Sequence, residues 1–135
     1  MGPYLCIELA KDEKNSVTGL YNSNKISAGG IEVIQCDLAN FNRLKEIFNS
    51  LKPDIDYHLA SATPTRITIQ TDDYIEFFNS TVTAELSKLC SDSGALMIYT
   101  STDLVYDECE DIKEDSSRLN PLTVYAATKL LGEGS

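Results

Sequence analysis

Apolar residues along this chain switch between two spacings, and the switches mark out its elements. In "NFNRLKEIFNSL", Phe41, Leu44, Ile47, Phe48 and Leu51 recur at helical intervals. That stripe predicts a helix over Asn40–Leu51, with Asn40 and Asn42 as candidate caps. Leu5, Leu9 and Ala10 share a face in the same way and predict a helix over Gly2–Glu13. Elsewhere the apolar residues run together. "SVTGLY" (Ser16–Tyr21), "IEVIQCD" (Ile31–Asp37, preceded by Gly29 and Gly30), "DYHLASA" (Asp56–Ala62) and "ALMIYTST" (Ala95–Thr102) read as strands. A longer helical stretch, Thr71–Ser93, is ended by Gly94. Pro121 introduces a last helix, Leu122–Glu133, with Asn120 as its expected N-cap.

Helices and strands therefore alternate, and the strands are apolar on both faces. That combination belongs to an α/β fold, a doubly wound parallel sheet with helices on each side. No internal repeat or low-complexity linker interrupts it, so residues 1–135 read as one domain. Such a sheet should begin with a strand. This chain begins with a helix, so the first strand is missing from the pattern.

Charge removes several functions. The formal net charge is −10, which disfavours nucleic acid or an anionic membrane as a partner. Much of it lies in "DECEDIKED" (Asp107–Asp115), which reads as a solvated acidic loop. There is no apolar run long enough to span a membrane and no secretory signal. Cys6, Cys36, Cys90 and Cys109 show no CxxC spacing, and the lone His58 is remote from them in sequence. No metal site is expected. Reduced thiols and a cytoplasmic location are, with Cys36 and Cys90 packing as small apolar groups.

In open α/β sheets, ligands sit beyond the C-terminal ends of the strands. Those ends here are "YNSNK", "CDL", "HLASAT" and "TSTD", each polar or small where an apolar strand stops. Ala60, Ser61 and Ala62 would let a flat ligand approach the backbone. Arg66 reads as solvated surface or a phosphate contact. The segment "TVYAATK" then places Tyr125 and Lys129 on one helical face. A phenol with a pKa of about 10 needs roughly 4 kcal/mol to be brought near neutrality. An ammonium about 4 Å away supplies about that much at an effective dielectric near 20. The pair suits general acid–base work on an oxygen, and a hydroxyl such as that of Thr102 could hold the oxygen.

"STDLVYD" followed by "YAATKLLGE" resembles the extended short-chain dehydrogenase/reductase superfamily, which joins a Ser/Thr at the end of the fifth strand to a YxxxK helix. "CDLANFNRLKEIFNSLKPDIDYHLAS" is similar to its third and fourth strands with the helix between, and "FNSTVT" to its helix with a bracing asparagine, here Asn79. The resemblance covers nearly the whole chain and implies a Rossmann-like fold. It implies Tyr125 as general acid/base and Lys129 as the residue that lowers its pKa and binds the nicotinamide ribose, with Tyr125 and Asn79 also among the cofactor-binding residues. Thr102 would hydrogen-bond the substrate oxygen. Asp37 and Leu38 would meet adenine, Ala60, Ser61 and Ala62 would line the dinucleotide, and Asn22 and Lys25 would lie near the adenosine ribose. An amide and a cation there, in place of an acid, favour NADP over NAD. Gly2 resembles the last glycine of the pyrophosphate loop.

Within the superfamily, Thr102–Asp103 resembles the dTDP-4-dehydrorhamnose reductase branch, which reduces a 4-keto sugar nucleotide. Two alternatives stand beside it. One is an NAD-dependent nucleotide-sugar epimerase or dehydratase using the same three residues. The other is a non-catalytic regulatory subunit of this fold, of which the β subunit of methionine adenosyltransferase is an example. The resemblance also implies a possible homodimer through the Thr71–Ser93 and last helices. The family's first strand, earlier glycines and C-terminal substrate region are not matched. The expectation is a fragment cut at both ends that binds NADP(H) poorly and turns over nothing by itself.

Overall fold

Leu44, Ile47 and Phe48 are buried in a helix over Phe41–Leu51, so the strongest stripe of the sequence does face a core. A computed structural model describes residues 1–25, 29–64, 70–107 and 118–135. Arg66 and most of the acidic segment, including Cys109, lie outside the described residues. The chain divides into two compact units, Met1–Leu51 and Lys52–Ser135.

In the first unit, helix α1 (Gly2–Leu9) packs on strand β1 (Thr18–Tyr21), which pairs in parallel with β2 (Glu32–Gln35). Helix α1 ends earlier than the expected Glu13. The Asn15 side chain donates to the Leu9 carbonyl, and Asp12 accepts from the Lys14 amide, so local polar groups replace the next helical turn. Helix α2 (Phe41–Leu51) is capped by Asn40, whose Oδ1 accepts from the Arg43 amide at 3.1 Å. Of the two candidate caps, Asn40 does the work, and Asn42 lies inside the helix. Cys36 is buried as expected.

In the second unit, β3 (Ile55–His58) and β4 (Leu96–Tyr99) pair in parallel, with Asp56 opposite Met97 and His58 opposite Tyr99. The expected long helix begins at a Thr71 cap and closes at left-handed Gly94, but it is three pieces: α3 (Asp72–Glu76), a π-helical turn (Phe77–Val82) and α4 (Thr83–Ser93). It buries Ile75, Val82, Leu86 and Cys90. Helix α5 (Val124–Glu133) packs on α3, on the π turn and on a short 3-10 turn, Asp103–Val105. Its N-cap is Thr123, whose hydroxyl accepts from the Ala126 amide at 3.1 Å. The expected cap, Asn120, is instead used in the preceding loop: its side chain donates to Asp107 and its amide to the Val105 carbonyl. Each strand is four residues long and shorter than its apolar run: β1 starts later than the run, and β2, β3 and β4 end before it does. Among the described residues each sheet has two strands, and both pairs are parallel.

Gly94 has φ +75°, and a Cβ there would meet nothing within 4 Å. A substitution is therefore disfavoured by backbone conformation alone. Gly94→Ala is expected to cost about 1–2 kcal/mol, read as a lower urea midpoint with an unchanged denaturant slope.

Candidate active site

Asn79 sits in the π turn and is 2% exposed. Its Oδ1 accepts from the Ala62 amide at 2.8 Å and from Ser61 Oγ at 3.1 Å. Its Nδ2 donates to the Ala62 carbonyl at 2.9 Å and to Thr128 Oγ1 at 3.2 Å. The side-chain amide thus pairs with the Ala62 backbone as a neighbouring strand would. Thr128 in turn donates to the Tyr125 carbonyl at 2.9 Å. One buried residue therefore links the loop after β3 to the helix that carries Tyr125 and Lys129. π turns recur where a helix must re-aim a side chain, often at functional sites.

Tyr125 is half-buried and Lys129 is 2% exposed. The Lys129 ammonium lies over the Tyr99 ring, 4.0 Å from its centroid. Tyr99 also stacks against His58, with ring centroids 5.6 Å apart. His58 is also buried and shares a hydrogen bond of 3.1 Å with Thr83. Burial lowers the Lys129 pKa to about 8, against the raising effect of Glu133. Burial raises the Tyr99 hydroxyl to about 12; Thr83 lowers it, while Tyr125 and Glu133 add to the rise. Glu133 also accepts a hydrogen bond from Ser101, which precedes Thr102. Sequence reasoning identified Lys129 but missed Tyr99 and Glu133. Glu133 follows Lys129 by one helical turn and lay within reach of a spacing argument, whereas Tyr99 meets His58 only through the register of β4 on β3.

Thr102 caps the 3-10 turn that packs on α5. Its Oγ1 accepts from the Leu104 amide and donates to Asp103 Oδ1, each at 3.3 Å. Ala62 is buried, Ser61 half-buried and Ala60 exposed. The structure thus brings Ser61, Ala62, Asn79 and the Tyr125/Lys129 helix together by direct bonds. In the first unit, Asp37 Oδ1 accepts from the Ala39 amide at 3.0 Å, turning the chain after β2. Asp37, Ala39, Asn40, Phe41 and Asn42 line an open depression of about 500 Å3. Leu38 is half-buried beside it in sequence. Asn22 and Lys25 are exposed just past β1, where the Asn22 carbonyl accepts from Gln35. Gly2 opens α1, and a Cβ there would meet nothing within 4 Å. Among the described residues, no group of His, Cys, Asp and Glu could hold a metal ion.

Two groups on β3, a half-buried Asp56 and a buried His58, pull stability in opposite directions with pH. Burial pushes the Asp56 carboxyl from 3.8 up to about 6, and its Oδ2 has no hydrogen-bond partner among the described residues. Burial, with the Lys129 charge, pushes His58 from 6.5 down to about 4. Between those Asp56 values the folded chain holds a proton the unfolded chain releases, so this contribution falls as pH rises. Between the His58 values the unfolded chain holds the extra proton, so stability falls as pH drops. The two slopes oppose one another. Asp56→Asn leaves His58 uncompensated, and its urea midpoint should fall more steeply than wild type on acidification from pH 6.5 to 4. Parallel midpoint curves for the two proteins would contradict this account.

A second prediction concerns Asn79. Asn79→Asp is nearly isosteric but replaces the donor facing the Ala62 carbonyl with an acceptor. It should destabilise by at least about 2 kcal/mol at neutral pH, with partial recovery in acid, where the carboxyl can donate again. Equal destabilisation at every pH would count against the assigned orientation of this amide.

Comparison with known proteins gives the chain a setting. It matches the model described as NAD dependent epimerase/dehydratase family over residues 1–134. It is 29% identical over 98 residues to the dTDP-4-dehydrorhamnose reductase of Salmonella typhimurium, covering 72% of this chain and 33% of that protein. It is 30% identical over 90 residues to methionine adenosyltransferase 2 subunit beta of Xenopus tropicalis, covering 67% of this chain and 27% of that protein. The chain thus spans about a third of the length of the curated relatives it matches. The crystal structure of a hypothetical dTDP-4-dehydrorhamnose reductase from Sulfolobus tokodaii superposes with a TM-score of 0.81 at 24% identity, over 99% of this chain and 48% of that one. That likeness shows the Rossmann-like α/β fold.

Proposed function

Because the chain belongs to the NAD-dependent epimerase/dehydratase family, we propose that residues 1–135 are a partial NAD(P)-binding domain of a sugar-nucleotide oxidoreductase. The reading is a reductase of the dTDP-4-dehydrorhamnose reductase type, acting on a 4-keto sugar nucleotide. The observation that carries it is α5 itself: Tyr125 and a buried Lys129 lie on one helix, which Thr128 and Asn79 tie to the backbone of Ala62.

Each unit, taken by itself, offers groups suited to a part of a dinucleotide. The open depression at the end of β2 suits a flat base beside Asp37 and Leu38, and Ala60, Ser61 and Ala62 offer a backbone free of bulky side chains. Asn22 and Lys25 would take the adenosine ribose, and an exposed cation there favours a 2′-phosphate, hence NADP. Asn79 would act by holding the Ala62 loop, and Gly2 would approach the pyrophosphate. NAD(P)H, when bound, supplies the hydride. Tyr125 then gives its hydroxyl proton to the alkoxide oxygen formed on the substrate. Lys129 stabilises the resulting phenolate, and Thr102 turns its hydroxyl from Asp103 to the same substrate oxygen.

A second reading has support from the similarity to methionine adenosyltransferase 2 subunit beta: a dinucleotide-binding regulatory subunit with no turnover of its own. Net oxidation of NADPH by an intact protein carrying this chain, given a 4-keto sugar nucleotide, separates the readings. Isomerisation with no net NADPH loss would favour an epimerase. Tyr125→Phe should lower reductase turnover by about 10²–10⁴-fold, far more than it weakens NADPH binding. Full function after that substitution, with a co-purifying partner enzyme, would favour the regulatory subunit.

A further inference from the structure

Lys129 is a buried cation that forms no ion pair among the described residues. Something other than a salt bridge must hold its ammonium. The groups around it come from four elements. His58 lies on β3 and Tyr99 on β4, opposite one another in register. Tyr125 and Glu133 lie on α5 itself, and Thr83 reaches in from α4 to His58. Of these, Tyr99 touches the lysine twice. Its ring face lies 4.0 Å below the ammonium, and its hydroxyl donates to the Lys129 carbonyl at 3.4 Å.

Gly132 makes that placement possible. A Cβ at position 132 would stand 2.5 Å from the Tyr99 hydroxyl oxygen and 2.8 Å from the ring carbon that bears it. The ring is thus wedged between His58 and the last turn of α5, where only a glycine leaves room. A wedged ring has little freedom to move away from the ammonium it faces. The negative π-face attracts a cation most strongly where water is scarce, and Lys129 is almost wholly shielded.

We propose that Tyr99 is a positioning residue: its ring holds the Lys129 ammonium charged and in place beside Tyr125, and Gly132 is the notch that seats the ring. The proposal rests on the reading of Lys129 as the site lysine. It extends that reading to a residue on β4 that neither contacts the substrate nor belongs to the Thr–Tyr–Lys set.

The test measures the lysine directly and needs neither cofactor nor turnover, so its failure is distinct from failure of the functional reading. The chain is labelled with ε-¹³C lysine, the Lys129 signal is assigned with Lys129→Arg, and its pKa is followed by NMR. Tyr99→Phe, which keeps the ring, should leave the Lys129 pKa near the wild-type value. Tyr99→Leu, which keeps an apolar group but no π-face, should lower it by about one unit, a tenfold loss of proton affinity. Gly132→Ala should shift it in the same direction by displacing the ring. An unmoved Lys129 pKa in folded Tyr99→Leu would overturn the proposal, as would equal shifts in the Phe and Leu variants. Should Tyr99→Leu fail to fold, fluorinated phenylalanines at position 99 keep the ring's shape while weakening its negative face. A stepwise fall in the Lys129 pKa with fluorination supports the proposal, and a constant value overturns it.

Discussion

The second unit depends on one amide. A backbone segment that leaves a sheet edge and becomes buried must still satisfy its N–H and C=O groups. At Ala62 no strand does this. Asn79 does, by offering an acceptor and a donor at the spacing a peptide group would present. Everything else about the site follows from where that amide can sit. The helix must carry it to Ala62, and the helix does so through a π turn. The amide's remaining donor capacity goes to Thr128, which fixes the height of α5 against the loop.

The same unit also shields three ionisable groups from water. Lys129, His58 and Asp56 are all taken out of water without a salt bridge among the described residues. Each is displaced toward its neutral form, for the same reason: a charge in a poorly solvated place is disfavoured unless something faces it. His58, pushed down to about 4, stays neutral at ordinary pH, while Asp56, pushed up to about 6, still ionises near neutrality. Lys129 has the Tyr99 ring beneath it and Glu133 nearby, and its value stays close enough to neutrality for either protonation state to be reached. A lysine in that condition can serve as a charge or as a proton reservoir, which an exposed lysine with its ordinary value cannot.

Much of this was legible in the sequence. The α2 stripe, the parallel α/β layering, Gly94 and the helix bearing Tyr125 and Lys129 all carry local signals: periodicity, a positive-φ glycine, small residues at strand ends. What was not legible came from competition. Asn120 and Thr123 are both good caps, and Asn120 lost because the loop needed it for Asp107 and Val105. Helix α1 stopped short because Asn15 and Asp12 offered its last turn other partners. The π turn left no mark, since its residues, Phe77–Val82, read the same whether the helix there holds an extra residue or not. By its place in the run Tyr99 is one more apolar strand residue, and its role appears only when the partner strand and α5 are in place.

The π turn also sets a constraint on length. Around Phe77–Val82 the backbone accommodates one more residue than an α-helix would over the same rise. Helix α3 is therefore rotated against α4 by about 100° relative to a continuous α-helix. A chain one residue shorter in this stretch could keep every side chain's chemistry and form a straighter, more regular helix. It would then turn α3 away from α5, with which it packs, and aim the amide elsewhere. In this segment the count of residues matters as much as their identity, and a gap in an alignment would carry more information than a substitution.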